Sequence, residues 1–536
     1  MFTGFTGVFV EGVRCGRSPD RATPAWHVEP ADRFDVILIA ALLISVLALC
    51  LYRLQVYPAP WFDEGLNGQA ARNIALHGQY GLRSSEGLVA FHPAIQTGPT
   101  VLLLVALLFR LAGVGVLQAR LVVVAYSVLA VMVFYWLVRE ICNRRTAFLA
   151  SLLLVFGFDH EFTSFVVMGR QILGENPALA FFWLGTLLWF RAWRSRSRLA
   201  LVWPGLLWGL AMLTKIQFVI ILAGALFVFW LLDRIWVKRL HTRQVLIPMV
   251  VGGLCVLAWY GVQALSLGFA DFWRQSTALG SAGGMHWLHL APQKVVGAIS
   301  QLLGSSLILL GVPGMLYVLG SNGQNWQEGE YCQVFLVLFT AIWLGWYAFL
   351  SIGWMRYAFV PAAMSTIFTA RLLGDVWDWA RQRRPVLHRW LPLAPGQVAV
   401  GGVIVMLLVS GWVPLVKQIV QSPDSGLQEL AQFLNGRVPT DAVIESWEWE
   451  VDLLTDHTYH HPPYEITNAF TEQVWYSTPV PTGIYDPMAA RPAYLIVGSF
   501  ARWTGIYSRE FLERRCTLVG SFGEYTLCKV NTDEQK

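Results

Sequence analysis

The feature that most constrains the fold is a series of apolar runs, each near the length that crosses a lipid bilayer. A helix needs about 20 apolar residues to span the hydrocarbon core, and the run at 35–54 has that length. Further runs lie near 99–114, 119–138, 146–160, 176–190, 199–214, 217–232, 244–266, 298–320, 332–350, 357–374 and 397–416. Hydrophobic residues make up 55% of the chain and charged residues 14%, which excludes a disordered chain and a nucleic-acid-binding module. The pattern predicts a polytopic α-helical membrane protein.

The chain changes character on both sides of this apolar region. The N-terminal residues are polar and lack the short apolar core and small-residue cleavage site of a signal peptide. After residue 420 charged residues return, and no remaining apolar run is long enough to span. The sequence therefore predicts an N-terminal tail at 1–33, a transmembrane domain at 34–420 and a soluble α/β domain at 421–536.

Clusters of Lys and Arg set the expected orientation, because basic loops face the cytoplasm. The clusters lie at 139–145, 191–198, 233–243 and 381–389. If the N-terminus is cytoplasmic, all four clusters lie on the cytoplasmic side only if one of the early apolar runs does not cross the membrane. The run at 99–114 is short and carries Arg110, so we expect it to be a helix embedded in the outer leaflet. The prediction is about eleven spans in the plasma (inner) membrane, with outer-leaflet juxtamembrane helices and an extracytoplasmic C-terminal domain.

The C-terminal domain alternates helical and strand patterns. Helical periodicity covers 425–437 and 508–515, and strand patterns cover 442–445 and 494–499. A hairpin is predicted from the two strand-like runs at 517–521 and 525–530. Cys516 and Cys528 flank this hairpin and could form a disulfide on an oxidising face, a question that the sequence leaves open.

Ionisable residues gather at the predicted outer ends of the spans. The adjacent carboxylates Asp63 and Glu64 could cap a helix, act as a general base, or do both. Glu175 lies in the second outer segment, close to hydrocarbon, where a charge is costly and usually functional. The cations on this side are Arg72, Arg120, Arg170, Lys215 and Arg356. Together they suggest an anionic ligand held by cations beside a base.

Two groups of histidines could bind a metal, but another interpretation is favoured for each. His286 and His289 flank Trp287 in a long aromatic loop, where an interfacial helix that covers the site is favoured. A loop is favoured for the group near Asp456, which consists of His457, His460 and His461.

The ordered set of polar segments resembles the GT-C superfamily of membrane glycosyltransferases. The likeness covers roughly 34–415 and is to the protein O-mannosyltransferase family and its bacterial relatives, including lipid A aminoarabinose transferase. Asp63-Glu64 resembles the acidic pair of the first outer loop, and Arg120 matches an Arg that opens the following span. His92-Pro93-Ala94-Ile95 resembles an HPPL segment with one proline missing.

Three further segments extend this resemblance. Residues 169–175 resemble an SRxxLxD segment, with Glu175 where Asp is usual. Residues 209–215 match a GLAxLTK segment that ends at Lys215, and residues 356–361 match an RYxxP segment that begins at Arg356. Each motif is weak alone, while the ordered set is fairly specific.

The resemblance implies an inverting glycosyltransferase that moves a sugar from a polyprenyl-phosphate donor to an acceptor on the outer face. It implies Asp63 as the base, with Glu64 beside it in the catalytic pair. The donor phosphate would be held by Lys215 and Arg356, with Arg170 and Arg72 as second candidates. The residues expected to orient the acceptor or shape the site are Glu175, His92, Arg120 and Trp287.

Several alternatives stay open at this point. A divalent metal, if present, would be held by Asp63, Glu64 and Glu175. The sequence names neither the sugar, hexose or pentose, nor the acceptor, which could be a lipid, a glycan or a protein. A lipid or sugar transporter would instead place ionisable residues near the midplane and show internal repeats. A non-catalytic scaffold would use its charges only to anchor helices.

Overall fold

The computed structural model describes residues 32–157, 159–193, 197–281, 292–321, 328–382 and 393–531. Among the described residues up to 421, the regular elements are helices apart from one small hairpin, which consists of β1 (Gly81–Ser84) and β2 (Gly87–Ala90). The helices before residue 200 are α1 (Arg33–Leu51), α2 (Phe62–His77), α3 (Pro99–Ala112), α4 (Val116–Ile141), α5 (Arg144–Phe156), α6 (Phe165–Met168) and α7 (Glu175–Ala192). Those that follow are α8 (Val202–Thr214), α9 (Gln217–Leu232), α10 (Thr242–Leu267), α11 (Phe269–Ser281), α12 (Pro292–Gly304), α13 (Ser306–Ser321), α14 (Glu328–Leu350), α15 (Phe359–Gln382) and α16 (Pro395–Gln421).

The prediction of a multi-pass membrane protein is confirmed by the helices that are both long and apolar. Six in the described residues could cross a bilayer: Arg33–Leu51, Val116–Ile141, Gln217–Val237, Thr242–Leu267, Gly329–Leu350 and Pro395–Gln421. A seventh is present if Lys294–Gly304 and Ser306–Ser321, which are bent by 87°, form one span. The count of about eleven spans stays a prediction, because the helices of four further predicted spans, α5, α7, α8 and α15, are not among these.

Helix α3 has the length of an embedded helix. It begins with Pro99 at its first turn and spans 14 residues, about 21 Å at the rise of an α-helix, which is short of a bilayer core of about 30 Å. One side packs against the protein through Val101 and Phe109, while Leu107 and Leu111 on the other side are exposed. An exposed apolar side is typical of contact with lipid.

The membrane part packs closely where glycines face neighbouring helices. Helix α8 lies against α10 at Gly209, where a Cβ atom would come within 2.7 Å of Cys255 Cβ. Gly185 of α7 faces the ring of Trp208, which a Cβ atom would approach to 2.6 Å. Small residues let membrane helices approach each other closely. The glycines at these two positions therefore permit the close packing of both helix pairs.

The C-terminal tail is a small α/β domain, as predicted. Its strands are β3 (Val443–Ser446), β4 (Thr458–His460), β5 (Tyr494–Val497), β6 (Cys516–Phe522) and β7 (Tyr525–Val530), arranged in the order β4-β3-β5-β7-β6. Strand β3 runs parallel to β4 and β5, and β7 runs antiparallel to β5 and β6. The helices are α17 (Leu427–Arg437), α18 (Trp449–Asp452), α19 (Tyr464–Tyr476), α20 (Ser499–Thr504) and α21 (Arg509–Arg515).

The predicted hairpin is present as β6 and β7, which turn at Gly523 with φ of 55°. A positive φ favours glycine at such a turn. Cys516 and Cys528 face each other across the hairpin and form a disulfide, with their Cα atoms 5.3 Å apart. The pairing that the sequence left open is therefore formed.

The tail sits directly on helix α2 of the membrane part. A Cβ atom on Gly65 would overlap the backbone of Glu450, and one on Gly68 would lie 2.7 Å from Leu453 Cδ2. The hairpin β1–β2 reaches the sheet as well, because the backbone N–H of Ser85 donates to the carbonyl of Tyr459 at 2.6 Å. The first loop thus forms the surface on which the tail packs.

Candidate active site

Four of the predicted site residues meet beside the junction of the two parts. Arg356 lies between two carboxylates: its Nε donates to Glu175 Oε1 at 2.6 Å, and its Nη1 donates to Asp63. Lys215 Nζ lies 2.9 Å from the same Glu175 oxygen. Two acids and two bases form one compact network, in which only the Asp63 side chain, at 12% exposure, reaches solvent appreciably.

Four separate elements bring these side chains together. Asp63 and Glu175 lie in the first turns of α2 and α7, where the partial positive charge of a helix N-terminus stabilises a carboxylate. Lys215 is the extended residue that ends α8, and Arg356 lies in a 3₁₀ turn just before α15. Gly174 allows the close approach, because a Cβ atom there would meet Lys215 Cγ at 3.2 Å.

The network contains two buried polar atoms without a hydrogen-bond partner among the described residues. They are Nη2 of Arg356 and Oε2 of Glu175. The Arg356 guanidinium is also covered by aromatic rings, with the Trp354 centroid at 5.3 Å and the Trp61 centroid at 5.7 Å. A buried donor without an acceptor is costly, so Nη2 marks the point where an anionic ligand would be bound most favourably.

Glu64 faces away from this network and pairs with Arg120. The pair is bidentate, with Nε–Oε1 at 3.0 Å and Nη2–Oε2 at 2.5 Å, and both side chains are buried. Glu64 Oε1 also accepts the backbone N–H of Ile172 at 2.8 Å. The remaining donors of Arg120 bind the carbonyls of Leu54 and Pro58. This pair holds the start of α2 against the end of α1.

Two further predicted cations lie outside the network. Arg170 donates from Nε to the carbonyl of Tyr57 at 2.9 Å and from Nη2 to that of Tyr52 at 2.8 Å, and its Nη1 binds carbonyls at the end of α1. Arg72 donates to the carbonyls of Asp452 and Thr455, both at 2.7 Å. Arg170 thus lies at the end of α1, and Arg72 lies in the contact between α2 and the tail.

A large cavity of about 990 Å³ opens beside Asp63. His92 lines it, and burial lowers the pKa of this imidazole to about 4, so the ring is neutral at neutral pH. Its membrane side also includes Trp61, Phe62, Trp259, Trp354 and Tyr357. Trp287, expected to shape this site, lies outside the described residues.

The tail supplies the other wall of the cavity, through residues that the sequence analysis did not single out. Its residues there include Glu448, Glu450, Thr467, Asn468, Trp475, Phe500 and Glu524. The alternation of acids and tryptophans at 447–450 was the available signal, since such residues are unusual together on the surface of a soluble domain. The cavity is therefore shared between the membrane part and the tail.

No group of three or more His, Cys, Asp or Glu side chains in the described residues is arranged to hold a metal. The predicted set does not converge, because Arg356 lies between Asp63 and Glu175 while Glu64 is held by Arg120. The tail histidines have protein partners: His457 the carbonyl of Val438, His460 the carboxylate of Glu445, and His461 the carbonyl of Ser446. His286 and His289 lie outside the described part of the chain.

Comparison with known proteins identifies the class of fold. A sequence model of the family described as dolichyl-phosphate-mannose-protein mannosyltransferase matches residues 92–260. In a sequence search, no curated protein matches the chain. The helices are arranged as in the two solved structures described next, so the resemblance indicated by the motifs is confirmed for the fold.

Two solved structures are similar over nearly the whole chain. The first is ArnT from Cupriavidus metallidurans bound to undecaprenyl phosphate, with a TM-score of 0.60, 13% identity and coverage of 94% of this chain and 99% of that one. The second is the oligosaccharyltransferase AglB from Archaeoglobus fulgidus, in complex with an inhibitory peptide and a dolichol-phosphate. Its TM-score is 0.57 at 11% identity, with coverage of 94% of this chain and 75% of that one.

Proposed function

We propose that this protein is an inverting glycosyltransferase that moves a sugar from a polyprenyl-phosphate donor to an acceptor on the outer face of the plasma membrane. The observation that carries the proposal is the unpaired, buried Nη2 of Arg356 beside Lys215 and Asp63. Polyprenyl-type phosphates bound to the two similar structures support this donor class. The eleven-span topology, with a cytoplasmic N-terminus and an outer tail, is part of the same proposal.

Lys215 and Arg356 hold the donor phosphate. Each carries a positive charge in a buried place, and the charge that grows on the leaving phosphate is stabilised there more strongly than in water. Glu175 binds both cations and so sets their spacing before the donor arrives. The carboxylate thus acts as a positioning residue of the phosphate site.

Asp63 acts as the general base on the acceptor. It is the carboxylate of the network that lines the cavity. In the absence of donor it is paired with Arg356, and a donor phosphate competes for that guanidinium. Binding of the donor therefore releases Asp63 to accept the proton of the acceptor hydroxyl or amine. Attack opposite the phosphate in a single displacement inverts the anomeric carbon.

The other predicted residues receive supporting roles in this proposal. Glu64 and Arg120 fix the start of α2 and hence the direction of Asp63. Arg170 and Arg72 hold α1 and the tail in place. His92 shapes the cavity as a neutral ring, and Trp287 remains an expected acceptor-side residue. The proposal assigns no step to a metal.

Donor turnover by the purified full chain in nanodiscs tests the proposal. Wild type, Asp63→Asn and the exposed-site control Asp441→Asn are incubated with a panel of polyprenyl-phosphate sugars and envelope extract, and released polyprenyl phosphate is measured. We expect release by the wild type and the control, and a loss of about a hundredfold or more in Asp63→Asn. Equal release by Asp63→Asn would remove Asp63 as the base. Transport of lipid or sugar without bond cleavage would contradict the proposed enzyme and indicate a transporter.

A further inference from the structure

The wall that the tail contributes to the cavity is acidic. Glu448, Glu450 and Glu524 line this side, and Asp63 lines the membrane side. The lining residues that the structure describes include neither Lys nor Arg, and His92 is uncharged at neutral pH. A phosphate or carboxylate on an acceptor would therefore find no Lys or Arg partner among the described residues that line this cavity.

Glu450 differs from its neighbour in the way its carboxyl group is bound. Glu448 accepts three backbone N–H groups at the start of α20, from Gly498, Phe500 and Ala501. Glu450 accepts only the hydroxyl of Tyr525, at 3.0 Å on Oε1. The residue is 3% exposed, and Oε2 has no hydrogen-bond partner within the described residues.

Burial and the neighbouring Glu448 raise the pKa of Glu450 well above its usual range. A raised pKa favours the protonated carboxyl group, which can both donate and accept a hydrogen bond. Hydroxyl groups of sugars also donate and accept. The same wall provides the polar side chains of Thr467 and Asn468 and the aromatic rings of Trp475 and Phe500, a combination that suits the alternating polar and apolar faces of a sugar ring.

Glu450 also lies close to the proposed base. Its backbone packs on Gly65, two positions after Asp63 in helix α2. A ligand that binds the Glu450 carboxyl group is thus held in the same cavity that Asp63 lines.

We infer that Glu450 belongs to an acceptor subsite, and that the part of the acceptor bound there is an uncharged carbohydrate. This inference rests on the proposed function, which defines the donor and the acceptor. It specifies the acceptor class, which the proposed function leaves as lipid, glycan or protein, and it assigns Glu450 a role in binding the acceptor through hydrogen bonds. Positioning the acceptor hydroxyl for Asp63 is the expected effect.

The inference is tested by binding and turnover measured on the same samples. The full chain in nanodiscs is titrated with a neutral oligosaccharide pool, a phosphorylated glycolipid and a Ser/Thr-rich peptide, without donor. We compare wild type, Glu450→Leu, Glu450→Gln and the exposed control Glu510→Gln. Glu450→Leu is expected to weaken oligosaccharide binding about tenfold or more, because a buried hydrogen bond is lost. Glu450→Gln, which can still donate and accept, stays within about threefold, and Glu510→Gln is unchanged.

Thermal unfolding and a KM-against-kcat comparison separate binding from folding. When a donor that the enzyme uses is present, Glu450→Leu is expected to raise the KM for the acceptor. The KM for the donor and the unfolding midpoint are expected to stay as in the wild type. Binding of oligosaccharide without any donor turnover would overturn the proposed function and leave the subsite. Donor turnover onto the phosphorylated glycolipid or the peptide, or oligosaccharide binding unaffected in Glu450→Leu, would overturn the subsite. If Glu450→Leu unfolds, Thr467→Val on the same wall replaces it, and normal oligosaccharide binding in that variant would overturn the subsite.

Discussion

Arg356 and Asp63 are 293 positions apart in the chain and form one ion pair beside the cavity that Asp63 lines. The same guanidinium binds Glu175, so one side chain connects the start of α2, the start of α7 and the turn before α15. A planar guanidinium can contact two carboxylates at once, whereas an ammonium acts as a single point charge. The geometry of the site therefore depends on arginine at this position.

Arg356→Lys should lose most of the activity although it keeps the charge. The three donors of a lysine all lie on one nitrogen, so they match the spacing of Asp63, Glu175 and a phosphate less well than the separate nitrogens of arginine. We expect kcat/KM for the donor to fall about a hundredfold, measured as release of polyprenyl phosphate. The exposed Arg509→Lys is the matched control, and a drop of the same size there would mean that the loss is unspecific. Activity of Arg356→Lys near wild type would show that charge alone suffices.

Breaking the buried pair of Glu64 and Arg120 should destabilise the membrane part. Glu64→Gln leaves the Arg120 guanidinium buried without its full partner, and removal of one member of a buried pair costs about 3–5 kcal/mol. Thermal unfolding in detergent is expected to show a clearly lower midpoint.

A surface pair serves as the control for that measurement. Arg509 and Glu513 are both largely exposed, and exposed pairs contribute about 0–1 kcal/mol. Glu513→Gln should therefore leave the midpoint almost unchanged. If Glu64→Gln is as stable as Glu513→Gln, the buried pair does not hold α2.

Gly65→Ala should loosen the tail from the membrane part. The added Cβ atom would overlap the backbone at Glu450, which cannot move as a side chain would. We expect faster hydrogen exchange in α18 and α2 and earlier proteolytic release of the tail. Gly436→Ala in α17, where a Cβ atom meets nothing within 4 Å, should leave both unchanged. Identical exchange in the two variants would place the docking surface elsewhere.

The tail should become less stable as the pH rises. Burial and Glu448 raise the pKa of Glu450, and the carboxylate of Glu445 raises the pKa of His460 against the opposing effect of burial. Each group binds its proton more tightly in the folded state, so folding is favoured at low pH. For Glu450 this contribution is lost as the pH rises above about 4.3, and for His460 above about 6.5.

Hydrogen exchange of β7, which carries Tyr525 beside Glu450, is the suitable measurement for this pH dependence. Protection should fall between acidic and mildly alkaline pH after correction for the intrinsic exchange rate. Glu450→Gln removes the titrating group and keeps an acceptor for the Tyr525 hydroxyl, so its profile should be flatter. Other charged groups near Glu450 are Glu448 and Glu524, and an equally steep profile in the variant would assign the effect to them.

The sequence located much of this site because chemistry demands particular residue types at the ends of spans. Asp63, Glu175, Lys215 and Arg356 were each selected as charges beside hydrocarbon, and they converge. Their pairing was not predictable, since it depends on how four distant elements pack. The donors of Arg170 go to carbonyls at the end of α1, a tertiary contact with no signature in sequence spacing.

The tail shows the same division between local and tertiary information. Strand β3 and helix α21 lie within a residue of the patterns that predicted them, because alternation and helical periodicity are local properties. The role of Glu450 was missed, since nothing in a local pattern shows that a soluble domain lies on the first loop. The shorter apolar runs also gave helices that fall below the length of a span, so a count of runs is an upper count of spans.

The contact between Ser85 and Tyr459 has a consequence for the tail as a separate molecule. Strand β4 is one of the two edge strands of the sheet, and the hairpin of the first loop covers part of it. A tail expressed without the membrane part would carry this strand edge open to solvent. Such an edge is a template for pairing with other chains, so the free domain should self-associate unless that edge is capped.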